Sequence, residues 1–275
     1  MKSIKTENLP DNKGDAENEK TKIISFANHK GGVGKTTSTV SVGTILARQG
    51  YKVLLVDMDA QANLTSSLVS MNESPYPTIY EALTDKLDAE GKKALRLSVR
   101  ENLWLYPSNL QLAKVDFELA AAMERERKLQ RLLEPIQEDY DFILIDCPPS
   151  LGIMTLNSFT ASNEIIIPMI AEVLPFRGLA MISDFITSIS QHLNPQAHVS
   201  GILLTRWENT NLSKQIEQGL RDRLEDKVFT TKIRKNVSVA EAPLEVKNIV
   251  EYAPKSKGAM DYKAFTTELL QKLGI

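Results

Sequence analysis

Short apolar runs recur along this chain, each about five residues long, and the segments between them carry apolar residues at helical spacing. Runs of this kind are typical of strands that are buried on both faces of a sheet. We therefore predict strands over residues 23–27, 53–57, 103–106, 142–146, 164–168 and 201–205. Strands that alternate with helices predict an α/β fold, in which a mostly parallel, twisted sheet carries helices on both faces and forms three layers.

The segments between these runs predict helices. The first covers residues 37–49, and Gly50 is placed to end it, because glycine readily adopts the left-handed conformation found just past a helix. A long helix with a charged outer face is predicted over 112–133. The last covers 260–273 and carries one apolar stripe, formed by Tyr262, Phe265, Leu269 and Leu273. Its other positions have mixed charges, which favours docking on its own domain.

The N-terminal segment differs from the rest of the chain. Residues 1–20 mix charged residues, asparagine and glycine with almost no apolar content, which predicts a disordered tail. Beyond the tail there is no internal repeat and no linker. Residues 21–275 are therefore predicted to form a single domain.

Composition narrows the function classes only slightly. Of the 275 residues, 42% are hydrophobic and 25% are charged, as in ordinary globular proteins. The net charge of -2 means that any DNA binding must come from a local basic patch. The single cysteine, Cys147, excludes an internal disulfide and fits a reducing cytosol. The apolar runs are too short to span a bilayer, so no membrane segment is predicted.

A glycine-rich segment between the first strand and the first helix has the residue types of a phosphate-binding loop. Its glycines allow consecutive backbone N–H groups to surround an anion. Lys35 is placed to face the β- and γ-phosphates, and the Thr36 hydroxyl suits Mg²⁺. The dipole of the following helix also favours an anion at this point. The segment consists of Lys30, Gly31, Gly32, Val33, Gly34, Lys35, Thr36 and Thr37.

Acidic residues end two of the predicted strands, at the edge of a parallel sheet where ligands usually bind. Asp146 follows four apolar residues, which is the Walker B pattern that positions Mg²⁺, usually through water. The alternative role for Asp146 is a plain helix N-cap. Asp57 and Asp59 follow the second strand, where two carboxylates suit a metal and an attacking water. Three scattered histidines and one cysteine argue against a zinc site.

Together these motifs resemble a known family. Lys30 directly before the double glycine resembles the deviant loop of the ParA/MinD group of P-loop ATPases. Residues 57–63 resemble the group's D-x-D-P-Q-x-N element, with Ala60 in place of proline, which predicts a less rigid turn. Three further segments resemble blocks of ParA/Soj-type DNA-partition ATPases: Y-P-S-N at 106–109, N-V-S-V-A-E-A-P at 236–243 and Y-A-P-K-S-K-G-A at 252–259. The likeness covers nearly all of residues 22–273.

This resemblance implies a P-loop NTPase fold and specific roles at an ATP and Mg²⁺ site. Lys30 would reach across a dimer interface to the nucleotide of a partner subunit. Asp59 would orient the hydrolytic water, and with Lys30 and Lys35 it would form the catalytic set. Thr36, Asp57 and Asp146 would hold the metal. Asn236 would lie near the adenine.

The resemblance also implies a function in DNA segregation. An ATP-sandwich homodimer would bind double-stranded DNA without sequence preference, in the cytoplasm on the nucleoid. A centromere-bound ParB-like protein would stimulate hydrolysis. Ser238 stands where many relatives carry a DNA-contacting arginine. The predicted DNA contacts are therefore Lys232, Arg234, Lys235, Lys247, Lys255 and Lys257, with Lys227 as a further candidate.

Two other functions remain to be compared with this one. A MinD-like membrane-associated positioning ATPase needs a C-terminal amphipathic helix with a basic face, whereas the last predicted helix has mixed charges. A metallocluster carrier needs several cysteines, and Cys147 alone is insufficient. The segment before the loop is too short for a helix-turn-helix domain, so operator-specific autoregulation is not expected.

Overall fold

A computed structural model describes residues 21–70, 76–172 and 175–275, so the predicted tail at 1–20 lies outside the described residues. The strands are β1 (Lys22–Phe26), β2 (Val53–Asp57), β3 (Leu97–Arg100), β4 (Leu103–Tyr106), β5 (Phe142–Asp146), β6 (Glu164–Ile170) and β7 (His198–Thr205). The α-helices are α1 (Lys35–Arg48), α2 (Asn63–Ser66), α3 (Ile79–Leu83), α4 (Ala89–Ala94), α5 (Val115–Glu118), α6 (Lys128–Leu133), α7 (Ile153–Ala161), α8 (Pro175–His192), α9 (Asn211–Leu224), α10 (Val237–Glu241), α11 (Ile249–Tyr252) and α12 (Lys257–Leu273). Short 3₁₀ helices cover Leu110–Lys114, Arg125–Arg127, Gln137–Asp139, Glu225–Lys227 and Ala242–Glu245.

All seven strands described join one sheet, in the order β3-β4-β2-β5-β1-β6-β7. Neighbouring strands are parallel except β3, which runs antiparallel to β4 at one edge. The predicted fold class and all six predicted strands are confirmed. Strand β3 was not predicted, because this edge strand is only partly buried and lacks a continuous apolar run.

Each face of the sheet has its own hydrophobic core. Along β5, Ile143 and Ile145 pack into one core, and Phe142 and Leu144 pack into the other, as the two-residue period of a strand requires. Helices α7, α8 and α9 cover the first face, and α1 and α12 cover the second. Burial on both faces explains why these strands carry unbroken apolar runs.

The predicted long helix over 112–133 is wrong. The chain forms a 3₁₀ turn and α5, which ends at Glu118. It then passes through Glu124, where φ is +51°, and a 3₁₀ turn over Arg125–Arg127 before α6 begins. Asn157 of α7 explains the break, because its side chain accepts a hydrogen bond from the Leu129 N–H at 3.0 Å and donates one to the Arg125 carbonyl at 2.8 Å. A contact distant in sequence therefore replaces helical hydrogen bonds that the local pattern favours.

The prediction that the last helix docks on its own domain is confirmed. Tyr262, Phe265 and Leu269 of α12 are each no more than 1% exposed and pack in the same core as α1. The Tyr262 and Ser38 hydroxyls also lie 3.2 Å apart. The apolar stripe is therefore occupied within the fold. No helix in the described ranges is long and apolar enough to cross a membrane.

Helix α1 approaches the sheet closely at Gly43. A Cβ atom built at this position would lie 2.6 Å from Leu55 Cδ2 and 3.4 Å from Leu144 Cδ1. Contacts this short force the helix away from β2 and β5, or force the leucines out of their rotamers. Two residues earlier on the same helix, the buried Ser41 hydroxyl makes no hydrogen bond to any described residue.

We predict a loss of stability for a substitution at Gly43 and no loss for one at Ser41. Gly43→Val should lower the free energy of unfolding by about 1–3 kcal/mol, because the added carbons overpack the contact with Leu55. Ser41→Ala removes an unsatisfied buried hydroxyl and should leave the stability unchanged or slightly raised. Urea denaturation of both variants beside the wild type measures the difference. Equal stability of the Gly43→Val variant and the wild type would contradict the close approach.

Candidate active site

Three central strands bring the candidate site residues to one edge of the sheet. Strand β5 lies between β1 and β2, and in register Asp146 is paired with Phe26 on one side and with Asp57 on the other. The glycine-rich loop follows β1. The loop and the two aspartates therefore meet at the carboxyl ends of neighbouring parallel strands, as predicted from the sequence.

The loop has the backbone geometry that its glycines allow. Gly32 and Gly34 have φ angles of +70° and +87°, a region that residues with a side chain rarely adopt. Helix α1 begins immediately after Gly34, at Lys35, two residues earlier than predicted, and ends before Gly50, where φ is +97°. The free N–H groups of its first turn therefore lie at the loop, which is the arrangement that binds anions.

Two side chains outside the predicted set hold the loop in place. The Thr205 hydroxyl at the end of β7 donates a hydrogen bond to the Val33 carbonyl at 2.7 Å. Asn28 accepts one from the Lys30 N–H at 3.0 Å and donates one to the Pro168 carbonyl at 2.8 Å. Neither residue was predicted to have a role. The available signal was a polar residue at or just past the end of an apolar strand, the same signal that identified the aspartates.

Lys35 is buried with its charge directed into the loop. Its ammonium group donates a hydrogen bond to the Lys30 carbonyl at 3.0 Å. Burial lowers the pKa of Lys35, and the nearby Asp146 carboxylate partly opposes that effect. A buried cation gains from a neighbouring anion, so Lys35 is placed to bind a phosphate.

Asp146 has one satisfied and one unsatisfied oxygen. Its Oδ2 accepts a hydrogen bond from the Thr36 hydroxyl at 2.7 Å. Its Oδ1 is buried and makes no hydrogen bond to any residue in the described ranges. Burial, followed by the charge of Asp57, raises the pKa of Asp146 well above its ordinary value. The helix N-cap alternative is excluded, because Gly152 is the N-cap of α7.

The residues around Asp146 fit a magnesium ion. An unsatisfied carboxylate oxygen beside a threonine hydroxyl offers the hard oxygen ligands that Mg²⁺ prefers, directly or through water. Within the described residues, no group of three or more His, Cys, Asp or Glu side chains has the arrangement of a metal centre. Such a sparse protein set is usual for Mg²⁺, which keeps several waters and takes other oxygens from phosphates.

The aspartates at the end of β2 and just after it have different environments. Asp57 is fully buried, and its carboxylate accepts hydrogen bonds from the Thr65 N–H, the Thr65 hydroxyl and the Asp59 N–H. Burial outweighs these bonds and raises the pKa of Asp57 to about 6. Asp59 is only partly buried, and its Oδ1 accepts a hydrogen bond from the Gln61 N–H at 3.0 Å. Asp57 therefore organises the turn, whereas the Asp59 carboxylate remains accessible.

Lys30 and Asn236 lie farther from the buried centre of the site. The Lys30 side chain is exposed, and its ammonium group lies 3.8 Å from the Glu172 carboxylate. Asn236 caps α10 by accepting a hydrogen bond from the Ser238 N–H. Backbone hydrogen bonds between Trp207 and residues 233 and 235 attach the Asn236 segment to the chain just after β7. The predicted roles of both residues remain predictions.

The predicted DNA-contacting residues fall into two groups. Lys232 contacts both Glu217 oxygens at 2.7 Å, and Arg234 forms several hydrogen bonds with Asp261. Lys235 pairs with Glu208 on the surface. The second group is exposed and forms no ion pair with any described residue. It consists of Lys247, Lys255 and Lys257. This second group is the better candidate for binding an external anion.

Comparison with known proteins identifies relatives of this chain. The family model described as an AAA domain matches residues 21–199. The sporulation initiation inhibitor protein Soj of Bacillus subtilis is 40% identical over 249 residues, which cover 90% of this chain and 98% of Soj.

Two solved structures cover most of the chain. A plasmid partition protein of Borrelia burgdorferi bound to AMPPNP has 28% identity and a TM-score of 0.79, covering 92% of this chain and all of the other. A cobyrinic acid a,c-diamide synthase of Mycobacterium smegmatis, bound to an ATP analogue and magnesium, has 33% identity and a TM-score of 0.80, covering 92% and 96%.

We predict that Lys35→Gln weakens ATP binding at least tenfold. The substitution keeps a side chain of similar length but removes a charged hydrogen bond to phosphate, which contributes about 1.5–3 kcal/mol. Equilibrium binding of a fluorescent ATP analogue measures the effect. Lys52→Gln, at an exposed position before β2, is the matched control and should bind like the wild type. Equal affinities for the two variants would contradict the assignment of the loop.

Proposed function

The chain belongs to the ParA/Soj family of DNA-partition ATPases, and we propose that it acts as an ATP-controlled DNA-binding switch. In this proposal ATP joins two copies into a dimer, the dimer binds DNA, and hydrolysis releases it. The observation that carries the proposal is the charge arrangement at the loop. A buried lysine, a threonine hydroxyl and an unsatisfied carboxylate oxygen converge where a triphosphate and its metal would bind.

Each group at the loop has a defined task with ATP. The loop N–H groups and Lys35 would bind the phosphates. Mg²⁺, when bound, offsets negative charge on the β- and γ-phosphates. Thr36 and Asp146 would hold the metal. Asp57 would act from farther away, through water, because both of its oxygens already accept hydrogen bonds.

Hydrolysis requires positioning more than covalent chemistry. Asp59 is the accessible carboxylate of the site, and it would hold the attacking water in line with the γ-phosphate. Asp57 is less suited to this task, because it is fully buried and bonded to Thr65. The different environments of the two carboxylates therefore favour Asp59 as the water-orienting group.

Lys30 supports a dimeric arrangement of the active form. Its carbonyl accepts the hydrogen bond from Lys35, while its own ammonium group is directed to Glu172 on the surface. The ion pair with Glu172 is long and exposed, so it contributes little stability and breaks readily. Lys30 is thus free to contact the nucleotide of a second copy that covers the site.

DNA binding is proposed at the start of α12. Lys255 and Lys257 flank Ser256, the N-cap of this helix. Positive charge at a helix N-terminus does not stabilise the helix, so helix stability does not account for these lysines. A phosphate at this point would gain from both the lysines and the helix dipole. Lys247 adds a third exposed cation.

Dimerisation explains how ATP would control DNA affinity in a chain with a net charge of -2. Each phosphate neutralised adds about 0.9 to the slope of log affinity against log salt concentration. Two copies present twice the number of cations to one duplex, so dimerisation doubles this slope. We further propose association with the nucleoid, and stimulation of hydrolysis by a centromere-bound ParB-like partner. The membrane-associated alternative is not favoured, because the apolar residues of α12 are buried in the fold.

The role of Asp59 is tested by Asp59→Ala. The variant should bind ATP like the wild type, because the loop and Thr36 are unchanged, but its steady-state ATPase rate should fall at least about a hundredfold. With ATP it should accumulate as a dimer, measured by multi-angle light scattering. Asp139→Ala, at a surface carboxylate that pairs with Arg96, is the control and should keep the wild-type rate. Wild-type turnover by the Asp59→Ala variant would refute the role.

The DNA surface is tested by changing Lys255 and Lys257 together to glutamate. ATP-dependent binding to nonspecific duplex DNA at low salt should be lost, because two phosphate contacts per subunit become repulsive. The charge-matched control changes Lys92 and Lys93 of α4 to glutamate and should bind DNA normally. Fluorescence anisotropy measures both variants. Equal loss in the control, or none in the Lys255 and Lys257 variant, would count against this surface.

A further inference from the structure

We propose that Thr65 and Ser108 are positioning residues for Asp59. Their side chains form a buried hydrogen-bond relay that runs from the Asp57 carboxylate to the backbone carbonyl of Asp59. This role rests on the proposed ATPase function and extends it to two buried residues outside the phosphate-binding loop.

Three short hydrogen bonds form the relay. The Thr65 hydroxyl donates to Asp57 Oδ2 at 2.7 Å. The Ser108 N–H donates to the Thr65 hydroxyl oxygen at 2.9 Å. The Ser108 hydroxyl donates to the Asp59 carbonyl at 2.8 Å. All three side chains in this path are at most 3% exposed, so water does not replace these bonds at low cost.

The direction of the relay is determined by the number of protons available. The Thr65 hydroxyl has one proton and gives it to Asp57, so toward Ser108 it acts only as an acceptor. Ser108 then has its hydroxyl proton free for the Asp59 carbonyl. Each donor thus has one acceptor, and the hydrogen bonds of the relay can point in only one direction. It fixes the turn after β2 from two directions, through α2 and through the segment after β4.

Ala60 leaves the turn around Asp59 without one local restriction. Proline at this position, usual in the family element, fixes its own φ and restricts the residue before it, which here is Asp59. Alanine imposes neither restriction. The Asp59 carbonyl instead accepts two hydrogen bonds, from the Ala62 N–H at 2.9 Å and from Ser108. Without proline at position 60, the tertiary contact from Ser108 carries a larger share of the restriction on this turn.

Loss of the relay should affect catalysis more than binding. Among the described residues, the hydrogen bonds of Thr65 and Ser108 connect to the Asp57–Asp59 turn and not to the phosphate-binding loop. Small misplacement of a catalytic group lowers the rate by about ten- to a hundredfold. Ser108→Ala and Thr65→Val should therefore lower kcat by about ten- to a hundredfold, with KM for ATP changed less than threefold.

The experiment measures steady-state ATPase activity of the full chain with nonspecific duplex DNA. The variants are Ser108→Ala, Thr65→Val and Thr65→Ser, which keeps the hydroxyl and should stay within about threefold of the wild-type kcat. Ser66→Ala is the matched control, because this partly buried serine of α2 donates a hydrogen bond to the Asn63 carbonyl, outside the relay. It should be indistinguishable from the wild type.

A second comparison uses Ala60→Pro, alone and combined with Ser108→Ala. Proline should recover at least about half of the lost kcat on a logarithmic scale, because it restricts the same backbone by another route. A merely structural effect of Ser108→Ala would not be reversed in this way. Amide hydrogen exchange of the peptide over residues 58–64 gives a readout independent of activity. Exchange should be faster in Ser108→Ala and slower again in the double variant.

The outcomes separate the relay from the proposed function. If the wild type hydrolyses ATP and Ser108→Ala keeps full kcat, the positioning role is overturned and the ATPase assignment stands. Equal loss in Thr65→Ser and Thr65→Val, or unchanged hydrogen exchange in Ser108→Ala, also overturns the relay. If the wild type does not bind ATP, the proposed function fails. If it binds ATP but shows no turnover without the partner, hydrogen exchange over residues 58–64 still decides the relay, because that measurement needs no hydrolysis.

Discussion

Two fully buried carboxylates at the ends of neighbouring strands are the constraint on which the rest of the site depends. Asp57 and Asp146 are paired in register on β2 and β5, and neither is exposed to solvent. Burying a charge is costly unless it is hydrogen-bonded or paired with an opposite charge. The surrounding loop, helix and turn place hydrogen-bond donors and positive charge beside the two carboxylates, which reduces this cost.

The two carboxylates are compensated differently, and the difference gives each a separate task. Three donors of the chain satisfy Asp57, which thereby fixes the path of the turn that carries Asp59. Asp146 receives only the Thr36 hydroxyl, with the Lys35 charge nearby, and one of its oxygens stays unsatisfied. A bound metal ion would supply the missing positive charge, and its water ligands would donate the missing hydrogen bonds. Ligand binding is thus expected to stabilise the folded site, because the ligand binds only the native arrangement.

Some of the basic surface residues form ion pairs within the fold, and others remain available to bind an external anion. Lys232 pairs with Glu217 of α9, and Arg234 pairs with Asp261 of α12. These two cations therefore serve mainly to hold the segment after β7 against the two helices. Lys255 and Lys257 stand at a helix N-terminus, where the dipole repels them. The basic residues near the C-terminus are therefore not equivalent, although they look alike in the sequence.

The sequence by itself determined the fold class, the six parallel strands and the phosphate loop. These depend on local patterns, because burial on both faces requires unbroken apolar runs and the loop conformation requires glycine at Gly32 and Gly34. Tertiary structure decided the rest. Asn157 interrupts the expected helix over 112–133, Glu217 and Asp261 neutralise two of the expected DNA contacts, and Ser108 and Thr65 reach the Asp59 turn. Each of these effects is a hydrogen bond or ion pair between residues far apart in the chain, formed only when the sheet brings them together, and no local pattern encodes it.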